Sequence, residues 1–459
     1  MSKRRFRKQK LPLEPVELEI SSISHEGRGV AHREGKVAFV DGALVGERVS
    51  AQFVRKRSKF DEFKTIEVHN PSAQRVEPPC QFTKQCGGCS LQHWMPQEQI
   101  QFKQSVLLEQ MTHATGLEQK DFELLAPLLG ATLNYRRKAR LGVRLVEKKG
   151  GVLVGFREKY SSFITEMDNC SILIPEVAQL IAGLRELIGT LESKRSIPQI
   201  EVAAGDMPDT DVESNLNQVA LVFRHLEELI ETDIDKLIVF AKANGIHLYL
   251  QPAGNDSVHK VFPVGEADRL VYSLPQFGLK LSFHPMDFTQ INAGINRAIV
   301  SQALEKLAIK EDDIVLDLFC GLGNFTLALA KRAGEVVGVE GSEEMVQRGY
   351  ENASANGISN VKFFAANLAE SMANKPWSSI KFNKVLLDPP RSGAAEIIEE
   401  VAALKAEKIV YVSCNPSTLA RDTASLLSKG YRLVSTGVMD MFPHTTHVES
   451  MAEFELIKK

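Results

Sequence analysis

Residues 314–340 read IVLDLFCGLGNFTLALAKRAGEVVGVE, and their pattern decides the fold. A short apolar strand, IVLDLF, runs into a glycine-bearing turn. A helix-length segment, FTLALAKR, follows, and then a second apolar strand, EVVGVE. Strands that are apolar on both faces belong in a parallel sheet covered by helices. The rhythm continues outward through EEMVQRGYENASANG, VKFFAA, NKVLLDPP, IVYVSC, STLARDTASLLSKG, YRLVSTGVM and SMAEFELIK. This predicts a doubly wound α/β domain over 287–459. Ligands of such sheets bind beyond the carboxyl ends of the strands, where strand order reverses.

Upstream the rhythm differs. Between residues 15 and 69 the segments VELEI, KVAFV, ERVSAQFV and FKTIEV alternate at period two and are separated by HEGRG, REGK and DGALVGE. That pattern predicts a small all-β barrel, which with the basic arm MSKRRFRKQK fills residues 1–72. Arg55, Lys56, Arg57 and Lys59 add a basic loop. A solvated surface is the plainer reading of it, but with the arm it suggests an RNA-facing side. Residues 71–91 are rich in Pro, Gly and Cys, and 94–117 read as one amphipathic helix. An α+β central domain over 73–286 includes a basic cluster, Asn134, Tyr135, Arg136, Arg137, Lys138 and Arg140.

The 459 residues exceed what one core holds. Apolar residues make up 44% and charged residues 25%, the balance of a globular protein, and the net charge of −3 leaves room for local basic patches. No stretch approaches the ~18 apolar residues of a membrane span, and the basic N-terminus is not followed by an apolar run. A cytoplasmic protein without membrane attachment is expected. Six cysteines in so long a chain do not form a disulfide framework; clustered thiols in a reducing compartment are metal ligands or nucleophiles.

The strand ends carry chemistry. IVLDLF ends in Cys320-Gly321-Leu322-Gly323-Asn324, where glycines allow a tight turn and close approach of a ligand. EVVGVE ends in Glu340, an acid placed to accept from ribose hydroxyls. The third glycine of a dinucleotide fingerprint is absent, since Phe325 and Thr326 follow Asn324. That disfavours a pyrophosphate and fits S-adenosylmethionine. VKFFAA runs on to Asn367, a candidate partner for adenine, and the next strand ends in Asp388-Pro389-Pro390-Arg391. Any one of these could be a packing turn; polar residues at four successive strand ends are harder to assign to packing alone.

KIVYVSC places Cys414 on the same rim, followed by Asn415-Pro416 and a helix whose amides favour a thiolate. A buried packing cysteine is the plainer reading. Beside a methyl donor, however, a thiolate that adds to carbon 6 of a uracil makes carbon 5 nucleophilic. A base must then remove the carbon-5 proton. Glu449, in HTTHVESMAEFEL, is the candidate, with His444 and His447 read as structural. Cys320 is read as packing. Cys80, Cys86 and Cys89, with distant Cys170, could bind zinc or a [4Fe–4S] cluster, and spacing leaves the two open.

Together FTQIN (288–292), DLFCGLGNF, DPPRSG, YVSCNP and HVE resemble the RNA uracil-5-methyltransferase family, over nearly the whole chain. The barrel and the cysteine cluster are together similar to members that act on 23S ribosomal RNA. The resemblance implies an N-terminal OB-like TRAM barrel, a central domain and a C-terminal class I S-adenosylmethionine-dependent methyltransferase domain. It implies that Gln290, Phe319, Asn324, Glu340, Asn367 and Asp388 contact S-adenosylmethionine, with Cys414 as nucleophile and Glu449 as base. It implies a [4Fe–4S] cluster on Cys80, Cys86, Cys89 and Cys170. It also implies that the helix at 94–117 packs on the catalytic domain. A monomer acting on 23S rRNA is the expectation. The alternatives are an enzyme for tRNA or another ribosomal uridine, and a non-catalytic RNA-binding scaffold, against which an intact Cys414 and Glu449 speak.

Overall fold

The computed structural model describes residues 12, 14–207 and 217–458. The arm MSKRRFRKQK lies outside the described residues. The chain forms two compact units. The first comprises residues 1–101, 157–163 and 444–446; the second comprises 102–156, 164–443 and 447–459.

The first unit contains the expected all-β element. Its strands β1 (Val16–Glu19), β2 (Ser22–Ile23), β3 (Gly29–Arg33), β4 (Lys36–Asp41), β5 (Arg48–Lys56) and β6 (Phe60–Val68) form one sheet in the order β1-β5-β6-β4-β3-β2. Ala31, Ala38, Val40, Val49, Ala51 and Phe63 fill its buried face. Two register shifts between β5 and β6, at Ser50/Ala51 and Phe53/Arg55, bend the pair as bulges do and curl the sheet. β2 and β3 were not among the expected strands. Both are short, and Gly, His and Arg in β3 hide the alternation. Glu47, fully buried, accepts from the amides of Leu44 and Ser72 and from the Arg75 guanidinium, tying the outgoing chain to the sheet.

The helix Pro96–Thr115 forms where the long apolar-polar segment predicted one. In the second unit, β8 (Lys138–Val146), β9 (Gly151–Gly155), β10 (Gln199–Asp206), β11 (Asn217–Arg224), β12 (Ile246–Gln251) and β13 (His259–Phe262) make a sheet ordered β13-β12-β11-β10-β8-β9. A separate hairpin pairs β14 (Leu270–Leu274) with β15 (Leu279–Phe283).

The C-terminal sheet comprises β7 (Glu123–Leu124), β16 (Ile314–Leu318), β17 (Glu335–Glu340), β18 (Val361–Ala365), β19 (Lys384–Leu387), β20 (Lys408–Ser413), β21 (Tyr431–Met439) and β22 (Glu449–Leu456). Its order is β18-β17-β16-β19-β20-β22-β21-β7. The chain winds outward from β16 in both directions, so the switch point lies between β16 and β19. Ladders β16–β17, β16–β19, β17–β18 and β19–β20 are parallel, as the apolar strands predicted. β22 runs antiparallel to β20 and β21, a departure from the all-parallel expectation. The connection at 440–448 is too short for a crossover helix, so the strand must return antiparallel. β7 comes from far upstream and adds in parallel to β21. No helix among the described residues is long and apolar enough to cross a membrane.

Candidate active site

The register of the C-terminal sheet brings the strand ends together. Leu318 pairs with Val339 and with Leu387, Glu340 with Ala365, and Leu387 with Tyr411. Phe319, Glu340 and Asp388 directly follow Leu318, Val339 and Leu387 at the carboxyl ends of their strands, and Cys414 lies at the same end of β20, three residues past Tyr411.

The turn after β16 is built for close approach. Gly321 and Gly323 have positive φ (55° and 101°). Phe319 also sits at φ 66°, a left-handed conformation that costs a non-glycine residue about 1–3 kcal/mol. It is held there because the amides of Phe319 and Cys320 both donate to the Val339 carbonyl, at 2.9 and 3.1 Å. Cys320 is buried, and a Cβ on Gly338 would meet its Sγ at 3.0 Å, as a packing role requires. Glu340 accepts from Gly341 N (2.8 Å) and Ser342 N (3.3 Å) at Oε1, and from Gly321 N (3.1 Å) at Oε2. These amides fix the carboxylate while Oε2 keeps a lone pair for a ligand hydroxyl.

Asn324 exchanges two 3.0 Å hydrogen bonds with Asn296, and its Oδ1 also accepts from Tyr272 Oη at 3.0 Å. One Nδ2 hydrogen remains for a ligand. Neither Asn296 nor Tyr272 was found by sequence reading, because they reach the glycine loop from a helix and a hairpin that share no motif with it. Tyr272 and Asn296 also line a cleft with Gln290, Thr289, Arg137 and Arg297. Phe288 stands 75% exposed two residues before Gln290. Asn367 is exposed beyond β18; its Nδ2 donates to Glu370 and its Oδ1 accepts from Ala369 N.

Asp317 is completely buried. Thr326 donates to its Oδ2 at 2.6 Å, while Oδ1 has no partner. Burial, with the nearby charges of Asp388 and Glu340, pushes its pKa up to about 8. Burial also pushes Asp388 up to about 7.

The last ladder pair between β20 and β22 is Ser413 with Ser450. Cys414 and Glu449 occupy the next position on either strand. Cys414 is half-buried, and its thiol is pushed up to about 11 by burial and by the charges of Glu449 and Asp388; Arg391 opposes this. Burial and Asp388 also hold Glu449 well above the carboxylate range, and Arg391 and Lys103 pull it back. Asn415 caps the helix Pro416–Ser428 through Ser417 N and donates to the Arg391 carbonyl at 3.0 Å. This clamps DPPRSG to the turn behind Cys414. Glu449 opens β22 rather than preceding it, since its partner Met439 extends the ladder by one residue.

The two histidines have structural surroundings. His444 donates from its backbone to Gln99 and accepts from the amides of Ser90 and Leu91. His447 contacts the Arg391 guanidinium, and burial with that cation lowers its pKa to about 4.

Of the cluster cysteines, Cys86, Cys89 and Cys170 are buried and Cys80 is half-buried. The Gly88 amide points at Cys86 Sγ (3.4 Å), the kind of bond a thiolate ligand accepts. Among the described residues, no three His, Cys, Asp or Glu side chains gather into a metal-holding group. The donor chemistry suits a soft metal or cluster, but the geometry does not display the site.

A family model described as tRNA (Uracil-5-)-methyltransferase matches residues 219–455. The 23S rRNA (uracil(1939)-C(5))-methyltransferase RlmD of Alcanivorax borkumensis is 51% identical, covering 99% of both chains. That of Hahella chejuensis is 52% identical, covering 98% of this chain and 99% of the relative. The crystal structure of Pyrococcus abyssi tRNA (uracil-54, C5)-methyltransferase in complex with S-adenosyl-L-homocysteine has the same fold. Its TM-score is 0.72 at 23% identity, over 95% of this chain and 99% of that one. With half of its length matched by that family model and near-complete alignment to the RlmD enzymes, this chain belongs to the RlmD family of 23S rRNA uracil-C5 methyltransferases.

Proposed function

We propose that this chain transfers a methyl group from S-adenosylmethionine to carbon 5 of a 23S rRNA uridine, the one its relatives' names number 1939. The observation that carries the reading is the placement of Cys414 opposite Glu449, one step beyond the Ser413–Ser450 pair, on the rim that also holds Asp388 and Glu340.

The residues fit the methyl donor. Glu340 offers a fixed carboxylate oxygen to ribose hydroxyls, Asn324 one amide hydrogen, and Asn367 an exposed carboxamide. Asp388 and Phe319 border the space, and Gln290 lines the cleft that Tyr272 and Asn296, the partners of Asn324, also line. The donor supplies an electrophilic sulfonium methyl group.

The Cys414 thiol gives up its proton to solvent water and its sulfur adds to carbon 6 of the uracil, leaving carbon 5 as an enolate carbon. Carbon 5 attacks the sulfonium methyl carbon in line, the methyl–sulfur bond breaks, and S-adenosylhomocysteine leaves with the electron pair. Glu449 then takes the carbon-5 proton, and the C–S bond breaks to release the methylated uridine and regenerate the thiolate. Burial raises the pKa values of Cys414, Glu449 and Asp388. Glu449 and Asp388 further disfavour the Cys414 thiolate, and Asp388 further disfavours the Glu449 carboxylate, so Cys414 and Glu449 hold their protons at rest. Glu449 therefore releases its own proton to solvent before it accepts the one from carbon 5, a step that burial and Asp388 oppose and that Arg391 and Lys103 favour. Attack above the ring plane requires the base to leave its stack.

Four thiolates from Cys80, Cys86, Cys89 and Cys170 hold a [4Fe–4S] cluster in this reading. Supporting it are the buried thiols of Cys86, Cys89 and Cys170 and the Gly88 amide aimed at Cys86. The cluster contributes structural support or RNA recognition rather than a step of methyl transfer.

The decisive experiment incubates the protein with methyl donor and 5-fluorouridine-substituted 23S rRNA. Fluorine cannot leave as a cation, so a denaturation-resistant protein–RNA adduct should accumulate, and Cys414→Ser should abolish both adduct and methylation. Turnover by Cys414→Ser at the parental rate would overturn the proposal.

A further inference from the structure

We infer that Lys103 is a positioning residue for the general base, holding the start of the 440–448 connection and keeping a positive charge beside Glu449. This rests on the assignment of Glu449 made above.

Lys103 is fully buried in the helix Pro96–Thr115. Its Nζ donates to Asp440 Oδ1 at 2.6 Å and to the Phe442 carbonyl at 2.9 Å. Asp440 is itself 4% exposed. An ion pair so deeply buried is expensive, and replacing such pairs with apolar residues often leaves stability unchanged or raises it. A role beyond packing would account for keeping the pair. The ladder supplies it: Met439 pairs with Glu449, and Asp440 is the next residue. Anchoring Asp440 fixes the strand end against which the Glu449 backbone is set. The Asp440 amide donates to the Leu128 carbonyl at 2.9 Å, so the anchor is held from a second side.

The charges that act on Glu449 come from elements other than its own strand. Asp388 raises the cost of its charge; Arg391 and Lys103 lower that cost. Cys414 shares the coupling from β20. On its own connection, Asp440 takes up part of the Lys103 charge, and His447 is disfavoured as a cation by Arg391 and Lys103. Arg391 is exposed and answers to solvent, whereas Lys103 is sealed from it.

The test measures release of methylated product in single-turnover reactions across pH, using the full chain with donor and ordinary ribosomal RNA. For Lys103→Met, the acid limb should move up by about one unit, a loss of about tenfold in release at a fixed pH on that limb. A covalent protein–RNA adduct should then persist on unmodified uridine, where the parent releases it. Lys103→Arg should restore the limb. Should Lys103→Met fail to fold, Lys103→Gln keeps an N–H donor without the charge and carries the same expectation. A folded variant with lower thermal stability, but with the parental acid limb and no lingering adduct, would reduce Lys103 to a structural residue. Failure of Cys414 to form the 5-fluorouridine adduct in the parent would instead sink the function on which the inference rests.

Discussion

In the proposed reaction Cys414 must become a thiolate, yet its surroundings oppose the charge. With its pKa pushed up to about 11, only a small fraction of the sulfur is anionic at neutral pH in the absence of RNA. Alkylation of Cys414 by iodoacetamide, followed by mass spectrometry, should therefore accelerate about tenfold per pH unit through pH 8–10. A rate already flat at pH 8 would contradict the buried, carboxylate-flanked setting. Asp317 makes a second residue-scale case. Its pKa rises from 3.8 to about 8, so the folded state holds its proton more tightly than the unfolded chain. The stability this contributes is present at low pH and is lost as pH rises through roughly 4 to 8. Asp317→Asn keeps an acceptor for Thr326 and carries no charge. Its melting temperature relative to the parent should thus climb between pH 5 and pH 8.5.

At the scale of elements, DPPRSG becomes a rigid corner through Asp422. This buried carboxylate accepts from Ala394 N at 2.8 Å and Tyr411 Oη at 2.7 Å, and from the Arg421 guanidinium, while Arg421 also donates to the Ser392 carbonyl. Gly393 fits at φ 78°, where an added Cβ would lie 2.6 Å from Arg421 Nη2 and 2.7 Å from Asp422 Oδ2. Gly393→Ala should destabilise the chain by about 1–3 kcal/mol in urea unfolding and slow methylation by shifting the Arg391 backbone. The glycine loop, DPPRSG and YVSCNP were legible because each is local: a strand end, a turn former and a polar residue within a few positions. Asn296, Tyr272 and Lys103 were not, because they come from elements with no motif beside the loops they hold.

Across the whole molecule, charge is distributed differently from its linear clustering. The basic cluster at 134–140 is largely engaged internally. Arg137 and Arg297 pair with Asp206, Arg140 with Glu201, and Lys138 donates to the Asp287 carbonyl. Tyr135 is buried with its hydroxyl on the Pro443 carbonyl. The barrel instead carries cations stacked on aromatic rings, with Arg28 4.6 Å from the Phe39 centroid and Lys56 4.7 Å from that of Phe53. Anaerobically purified protein should contain iron and acid-labile sulfide in equal amounts, with broad visible absorption. Cys86→Ser should lose both and lower the melting temperature. Zinc in place of iron would refute the [4Fe–4S] assignment.

The amino-acid order alone settled the class of fold and the run of strands toward a common rim, and it singled out the candidate thiol, because apolar periodicity and turn residues act over a few neighbours. Only tertiary structure decided that β22 returns antiparallel to set Glu449 opposite Cys414, and that β7 joins the sheet with Glu123 beside Ser435, far along the chain. It alone assigned Lys103 to Asp440, 337 positions apart. Such pairings follow from which surfaces must be buried together and which charges must be matched once water is excluded, and no local pattern encodes either.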